Sequence, residues 1–86
     1  MPTDKEFQKQ LADLYFHQGK YKKSQSLLRK ILTDDPEDHY ALWQMGEIAV
    51  AEGNMEDAYV YLHQAYNSCD DNPKYCFSLA QWYYDQ

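Results

Sequence analysis

The chain has 86 residues, a formal net charge of −6, and 44% hydrophobic, 26% charged and 16% aromatic residues. This length allows one small domain, and the composition excludes a disordered chain. No apolar run approaches the roughly 18 residues that a membrane-spanning helix needs. Seven of the eight basic residues lie in residues 1–31, whereas eleven of the fourteen acidic residues lie in residues 32–86. An acidic chain without a nucleic-acid motif predicts no nucleic-acid partner, and the absence of a secretion signal predicts a cytoplasmic protein or a piece of one.

Helix-start and helix-stop residues predict five helices and no strand. Thr3 and Glu6 form a capping box, so the first helix is expected to begin near Asp4 and to end at Gly19. The second helix is expected over residues 21–33. The predicted inward-facing residues are Leu11, Ala12, Leu14 and Tyr15 in the first helix and Leu27, Leu28, Ile31 and Leu32 in the second.

The three later helices are also marked by capping residues. Asp35 is predicted to cap the third helix, with Pro36 at its first position and Asp38 in its first turn. The remaining signals are Gly53, which ends the third helix, Asn54, which opens the fourth, and Asn72 with Pro73, which open the fifth.

A 34-residue period relates these helices to one another. Leu11, Met45 and Leu79 share this spacing, and no insertion interrupts it. Such a period is typical of a solenoid, in which each unit buries its apolar face against the next unit. The same spacing relates Ala12, Gly46 and Ala80; Tyr15, Ala49 and Tyr83; Gly19 and Gly53; Ser24 and Ala58; Leu28 and Leu62; and Ile31 and Ala65.

These residues resemble the tetratricopeptide repeat. The resemblance implies an all-α, right-handed alpha-alpha superhelix of 34-residue antiparallel helix pairs with five helices. It divides the single domain, residues 1–86, into a first repeat at 5–38, a second at 39–72, and the first helix of a third repeat or cap at 73–86. The first repeat matches the family at Leu11, Ala12, Tyr15, Gly19, Tyr21, Ser24, Leu28, Ile31 and Pro36, and the second at Met45, Gly46, Gly53, Ala58, Leu62 and Ala65; Ala49 and Asp70 depart from the pattern.

In this family the first helix of each repeat lines a concave groove that binds a peptide or helix of a protein partner. The resemblance therefore implies a non-catalytic interaction module, and Trp43 is expected at the middle of the groove. Phe16, Phe77 and Tyr84 have an alternative role, which is to cover the core. The expected partner-binding residues are Lys9, Asp13, Phe16, Tyr40, Trp43, Glu47, Phe77, Gln81 and Tyr84.

Two alternatives concern other partners. Many family members bind the acidic C-terminus of chaperones, but Asp13 and Ser78 stand where that site needs neutral and basic side chains, so this partner is not expected. Residues 75–84 carry no charge and six large apolar or aromatic side chains. This segment predicts an alternative function, that of a self-assembling structural unit that homo-oligomerises through Trp82 and Tyr83.

No catalytic, cofactor or metal site is expected. The three histidines are 22 and 24 residues apart and have no metal-ligand spacing to cysteine or carboxylate. Cys69 and Cys76 have a disulfide as an alternative, but without a secretion signal they are expected to be free thiols, with Cys76 buried as a small apolar residue. Gly46 and Ala80 are expected at the closest approach between helices.

Overall fold

The computed structural model describes residues 4–86, which form five α-helices and no strand. This architecture confirms the all-α helical-repeat fold. Thr3, half of the predicted capping box, lies outside the described residues. The helices are α1 (Asp4–His17), α2 (Tyr21–Asp34), α3 (His39–Ala51), α4 (Met55–Ser68) and α5 (Pro73–Tyr84).

Short capped turns join the helices. Gly19 and Gly53 follow α1 and α3 with φ angles of 77° and 79°, a left-handed conformation that a residue without Cβ adopts without strain. Asn54 and Asn72 cap α4 and α5 as predicted. The predicted cap of α3 was wrong. Asp38, not Asp35, accepts the hydrogen bond from the Ala41 backbone N–H at 2.9 Å, because the chain still turns through residues 36 and 37.

The helices pack as consecutive neighbours, α1 with α2, α3 with α4, and α5 against α4. Helix α3 lies at the centre, where small and apolar residues on several faces are buried. Ser24 reaches across the first pair and donates a hydrogen bond from Oγ to the Ala12 carbonyl at 2.8 Å. The main core comprises Ala12, Leu28, Ile31, Ala41, Met45 and Ile48, and a second cluster comprises Leu42, Ala65 and Tyr75.

Gly46 lies at the closest approach between α3 and α4. A Cβ atom there would be 2.7 Å from Cδ2 of Leu62. The prediction for Gly46 is therefore confirmed, whereas that for Ala80 was wrong. Ala80 is exposed, because no described helix lies against α5 in the way that α4 lies against α3.

The first and last helices each expose an apolar face that corresponds to a buried face of α3. Leu14 was expected to point inward but is 53% exposed, whereas its repeat counterpart Ile48 is packed in the main core. Cys76 was expected to be buried but is exposed, whereas its counterpart Leu42 packs in the cluster that contains Ala65 of α4. Both predictions failed because the described helices place no neighbour against these two faces. Cys69 and Cys76 are free thiols, as expected.

Candidate functional site

Helices α1, α3 and α5 contribute one continuous surface, here called the α1–α3–α5 face. Side-chain contacts join each helix of this face to the next. Lys9 of α1 forms an ion pair with Asp38 at the start of α3, and Trp43 of α3 forms a hydrogen bond with Ser78 of α5. The sequence-predicted partner-binding residues all lie on these three helices.

Asp38 fixes the junction between α1 and α3. Its Oδ2 atom lies 2.7 Å from Nζ of Lys5 and 2.9 Å from Nζ of Lys9, while its side chain also caps α3. Burial by itself would raise the pKa of Asp38, but hydrogen bonds from Lys5, the Ala41 backbone and Lys9 outweigh burial and lower the pKa to about 2. Because Asp38 engages both lysines, the basic side chains of α1 are not arranged to bind an anionic ligand.

Tyr40 lies beside this ion-pair cluster. The Lys9 ammonium is 5.5 Å from the centre of its ring, within the range of a cation–π interaction. Burial, followed by the nearby Asp13 carboxylate, raises the pKa of the Tyr40 phenol to about 12, so this hydroxyl stays protonated at neutral pH. A shallow pocket at this place is lined by Glu6, Lys9, Gln10, Asp13 and Tyr40.

Trp43 connects α3 with α5. Its indole Nε1 donates a hydrogen bond to Ser78 Oγ at 2.9 Å, and Ser78 Oγ in turn donates to a carboxylate oxygen of Glu47. The ring also lies 5.8 Å from the ring of Tyr75, centre to centre, and packs against the second core cluster. Trp43 is therefore half-buried and holds the two helices together as well as forming part of the face.

A second pocket, here called the α3–α5 pocket, lies next to Trp43. Its walls are mainly apolar and aromatic, and its volume is about 90 Å³. Two carboxylates, from Glu47 and Asp85, stand at this pocket, and no basic residue lines it. The full lining is Glu47, Val50, Met55, Phe77, Ser78, Gln81, Trp82 and Asp85.

The predicted aromatic residues have different environments. Phe16 packs against the main core beside Tyr21, which corresponds to the alternative role considered for it. Phe77 and Tyr84 are 69% and 84% exposed, so neither covers the core. Phe77 lines the α3–α5 pocket, together with the predicted residues Glu47 and Gln81.

The two residues predicted for self-association also differ. Trp82 donates a hydrogen bond from Nε1 to the Met55 carbonyl at 2.8 Å, and its ring lies 4.9 Å from the Tyr59 ring, centre to centre, so it fastens α5 to α4. Tyr83 is 53% exposed, and its hydroxyl lies 3.1 Å from Nε2 of His63. Of the two, Tyr83 presents the larger exposed fraction of its side chain on α5.

Sequence reasoning missed the roles of two polar residues of this face. Asp38 was assigned only to the first turn of α3, because its partners Lys5 and Lys9 are about thirty residues away along the chain. Ser78 was considered only as a missing arginine, although it links Trp43 to Glu47. The 34-residue period could have indicated Ser78, since it places this residue in register with the buried Gln44.

Comparison with known proteins identifies one family. The family model described as the TT21 fifth ARM repeats domain matches residues 6–86. This is a helical repeat family, so the predicted solenoid is confirmed, but the match is not to a tetratricopeptide model. Neither the curated proteins nor the solved structures contain a significant match. Within residues 4–86, no helix has the length and apolar character needed to cross a membrane.

Proposed function

We propose that this chain, which belongs to the TT21 fifth ARM repeats domain family, is a non-catalytic module that binds a segment of a protein partner on its α1–α3–α5 face. Helical repeat domains typically present such a surface to partners rather than carry out chemistry. In keeping with this role, we propose a protein or peptide partner and a cytoplasmic location. We further propose that the chain follows the tetratricopeptide register, with repeats at residues 5–38 and 39–72.

The observation that supports this function best is the exposure of Phe77 beside the α3–α5 pocket. A large aromatic side chain that is 69% exposed contributes little to folding, but it can bury much of its surface when a partner binds. Tyr40 and Trp43 continue the aromatic surface toward α1, with their ring centres 5.9 Å apart. One pocket is lined by Tyr40 and the other by Ser78, the hydrogen-bond partner of Trp43, so an extended segment that follows the two rings could contact both pockets.

Phe7 offers a matched control for Phe77. Both are exposed phenylalanines, at 58% and 69%, but Phe7 does not line either pocket of the face. Random dodecapeptides displayed on phage would be selected on the purified chain, and the dissociation constants of the selected peptides measured by isothermal titration calorimetry. We expect Phe77→Ala to weaken binding at least tenfold, about 1.4 kcal/mol, and Phe7→Ala to leave it unchanged.

The opposite result would contradict this function. Selected peptides that lose affinity with Phe7→Ala and keep it with Phe77→Ala bind elsewhere. Failure to select any peptide above background would also argue against a peptide-binding face. Trp43→Ala is a poorer test, because this variant also removes the hydrogen bond to Ser78 and core contacts, so lost binding could reflect lost folding.

A second candidate function, self-assembly, is favoured by the exposed apolar faces at the two ends of the helix stack. Phe7 and Leu14 are exposed on α1, and Ala80 and Tyr83 are exposed on α5. Basic residues predominate in residues 1–31 and acidic residues in 32–86, so unlike ends attract each other and like ends repel. This charge distribution favours head-to-tail contact over a two-fold dimer.

Ala80→Lys is the cleaner variant for testing self-assembly. Ala80 is exposed, and lysine keeps a high helix propensity, whereas replacing Trp82 would remove its hydrogen bond to Met55. Sedimentation should show association that weakens in Ala80→Lys and in high salt if contacts are head-to-tail. A two-fold dimer would tolerate salt, and a strict monomer at high concentration in low salt would exclude self-assembly.

A further inference from the structure

The α3–α5 pocket carries negative charge, which an apolar ligand would not complement. Glu47 and Asp85 both line it, and each already uses one oxygen within the protein. One oxygen of Glu47 accepts from Ser78, and Oδ1 of Asp85 accepts from Gln81 Nε2 at 3.2 Å. A carboxylate has two oxygens and about four acceptor positions, so both groups can accept further hydrogen bonds. Covering them with an apolar side chain would remove water without replacing its hydrogen bonds, which is unfavourable.

Within residues 4–86, no basic side chain compensates these two carboxylates. The ion pairs of the described chain involve Asp13, Asp35 and Asp38, not Glu47 or Asp85. Lys74 is the nearest basic residue along α5, but its ammonium lies over the Trp43 ring, 5.9 Å from the ring centre, and Lys74 does not line the pocket. Residues 55–86 contain five acidic side chains and only this one basic side chain, so the surrounding potential is also negative.

The walls of the pocket suit the hydrocarbon part of a long basic side chain. Val50 and Met55 provide aliphatic contact, and Phe77 and Trp82 provide aromatic rings. Arginine and lysine commonly lay their methylene groups along such surfaces and hold the charged end near carboxylates. An aromatic ring attracts the same cation through its quadrupole.

We propose that the α3–α5 pocket binds an arginine or lysine side chain of the partner segment. The proposal rests on the function proposed above, because it names the chemistry that one position of the bound segment must have. The basic group donates hydrogen bonds to the carboxylates of Glu47 and Asp85, and its methylene groups pack on Phe77 and Trp82. The partner is therefore a segment with at least one basic residue, in contrast to the acidic chaperone C-termini bound by many tetratricopeptide domains.

The test uses the double variant Glu47→Gln/Asp85→Asn and a matched control. Glutamine and asparagine keep an acceptor for Ser78 and Gln81 while removing the two charges. The control, Asp34→Asn/Glu37→Gln, also removes two negative charges. Asp34 lies at the end of α2 and Glu37 in the following turn, and both are exposed and outside the pocket. Each selected dodecapeptide is also synthesised with each of its basic residues replaced by citrulline, which is neutral and similar in shape to arginine.

We expect the selected peptides to contain arginine or lysine. One citrulline replacement should weaken binding to the unmodified chain and to the control at least tenfold, since hydrogen bonds between charged groups are stronger than those between neutral groups. The double variant Glu47→Gln/Asp85→Asn should bind the original peptide and the citrulline peptide with equal affinity. That affinity should be about as low as the affinity of the unmodified chain for the citrulline peptide. This non-additivity assigns the basic residue to the pocket.

Two results would overturn the proposal, and they are distinguishable. The cation site would be excluded if the selected peptides lacked basic residues. It would also be excluded if citrulline replacement reduced affinity by the same factor for the double variant and for the unmodified chain. If those peptides still lost affinity with Phe77→Ala, peptide binding by the α1–α3–α5 face would stand and only the cation site would be wrong. Peptides that bind with no dependence on Phe77 would overturn both, because the α3–α5 pocket would then not be the binding surface.

Discussion

Gly46→Ala tests how tightly α3 and α4 are packed. The added Cβ would lie 2.7 Å from Cδ2, 2.8 Å from Cγ and 3.3 Å from the backbone nitrogen of Leu62. Leu62 is almost fully buried, so its side chain has little space into which to rotate, and the backbone contact remains in any rotamer. Overpacking of this kind costs about 1–3 kcal/mol.

The substitution also has an opposing effect on α3. Glycine inside a helix is less favourable than alanine by about 1 kcal/mol, so without any contact Gly46→Ala would stabilise the protein. The difference between the two effects is a net loss of up to about 2 kcal/mol. For a domain of this size, each kilocalorie corresponds to a decrease of about 4–8 °C in melting temperature.

Urea unfolding followed by circular dichroism measures this difference directly, and Ala80→Gly provides the control. Ala80 is the repeat counterpart of Gly46 on α5 and is exposed, so Ala80→Gly reports only the helix-propensity effect, a loss of about 1 kcal/mol. If Gly46→Ala increased stability by as much as Ala80→Gly decreased it, the close contact with Leu62 would be refuted.

Three further predictions concern stability. The pKa of Asp38 is lowered from 3.8 to about 2, so its ionisation stabilises the fold by about 2 kcal/mol. This stabilisation is fully present above a pH of about 4 and is lost as the pH falls through about 2. Urea unfolding across this range should show the loss, and Asp38→Asn should remove most of this pH dependence. Gln44→Met should raise the free energy of unfolding by about 1 kcal/mol, because the buried Oε1 of Gln44 has no hydrogen-bond partner; an unchanged or lower value would argue against this. Trp82→Phe should lower the free energy of unfolding by about 1 kcal/mol, since the Met55 carbonyl loses its donor, and a neutral effect in thermal denaturation would contradict that role.

The sequence predicts the helices and the repeat because local signals specify both. Glycines at φ angles near 80° mark two helix ends, and asparagine caps mark two helix starts. Asp35 and Asp38 show where such signals are insufficient. Either aspartate could cap α3. Lys5 forms ion pairs with both aspartates, whereas Lys9 pairs with Asp38 alone, and the proximity of Lys9 depends on the packing of α1 against α3. Tertiary contacts therefore decide between caps that the local sequence leaves equivalent.

The face was predictable by register, but the environment of each side chain was not. The 34-residue period places Asp13, Glu47 and Gln81 at corresponding positions, and all three line a pocket of the α1–α3–α5 face. The period cannot show that α1 and α5, unlike α3, have a described neighbour on one side only. Leu14 and Ala80 were wrongly predicted for this reason, since a repeat position is buried only where the adjoining helix is present.

Nuclear magnetic resonance cross-saturation would test most directly whether the partner binds the α1–α3–α5 face. A selected, protonated dodecapeptide is irradiated in complex with the deuterated chain, and intensity losses mark the chain's amide groups in contact with the peptide. We predict losses around Tyr40, Trp43 and Phe77. Losses confined to a different surface of α5, around Cys76 and Tyr83, with none around Tyr40 or Trp43, would contradict the proposed face and indicate that the partner covers the end of the helix stack instead.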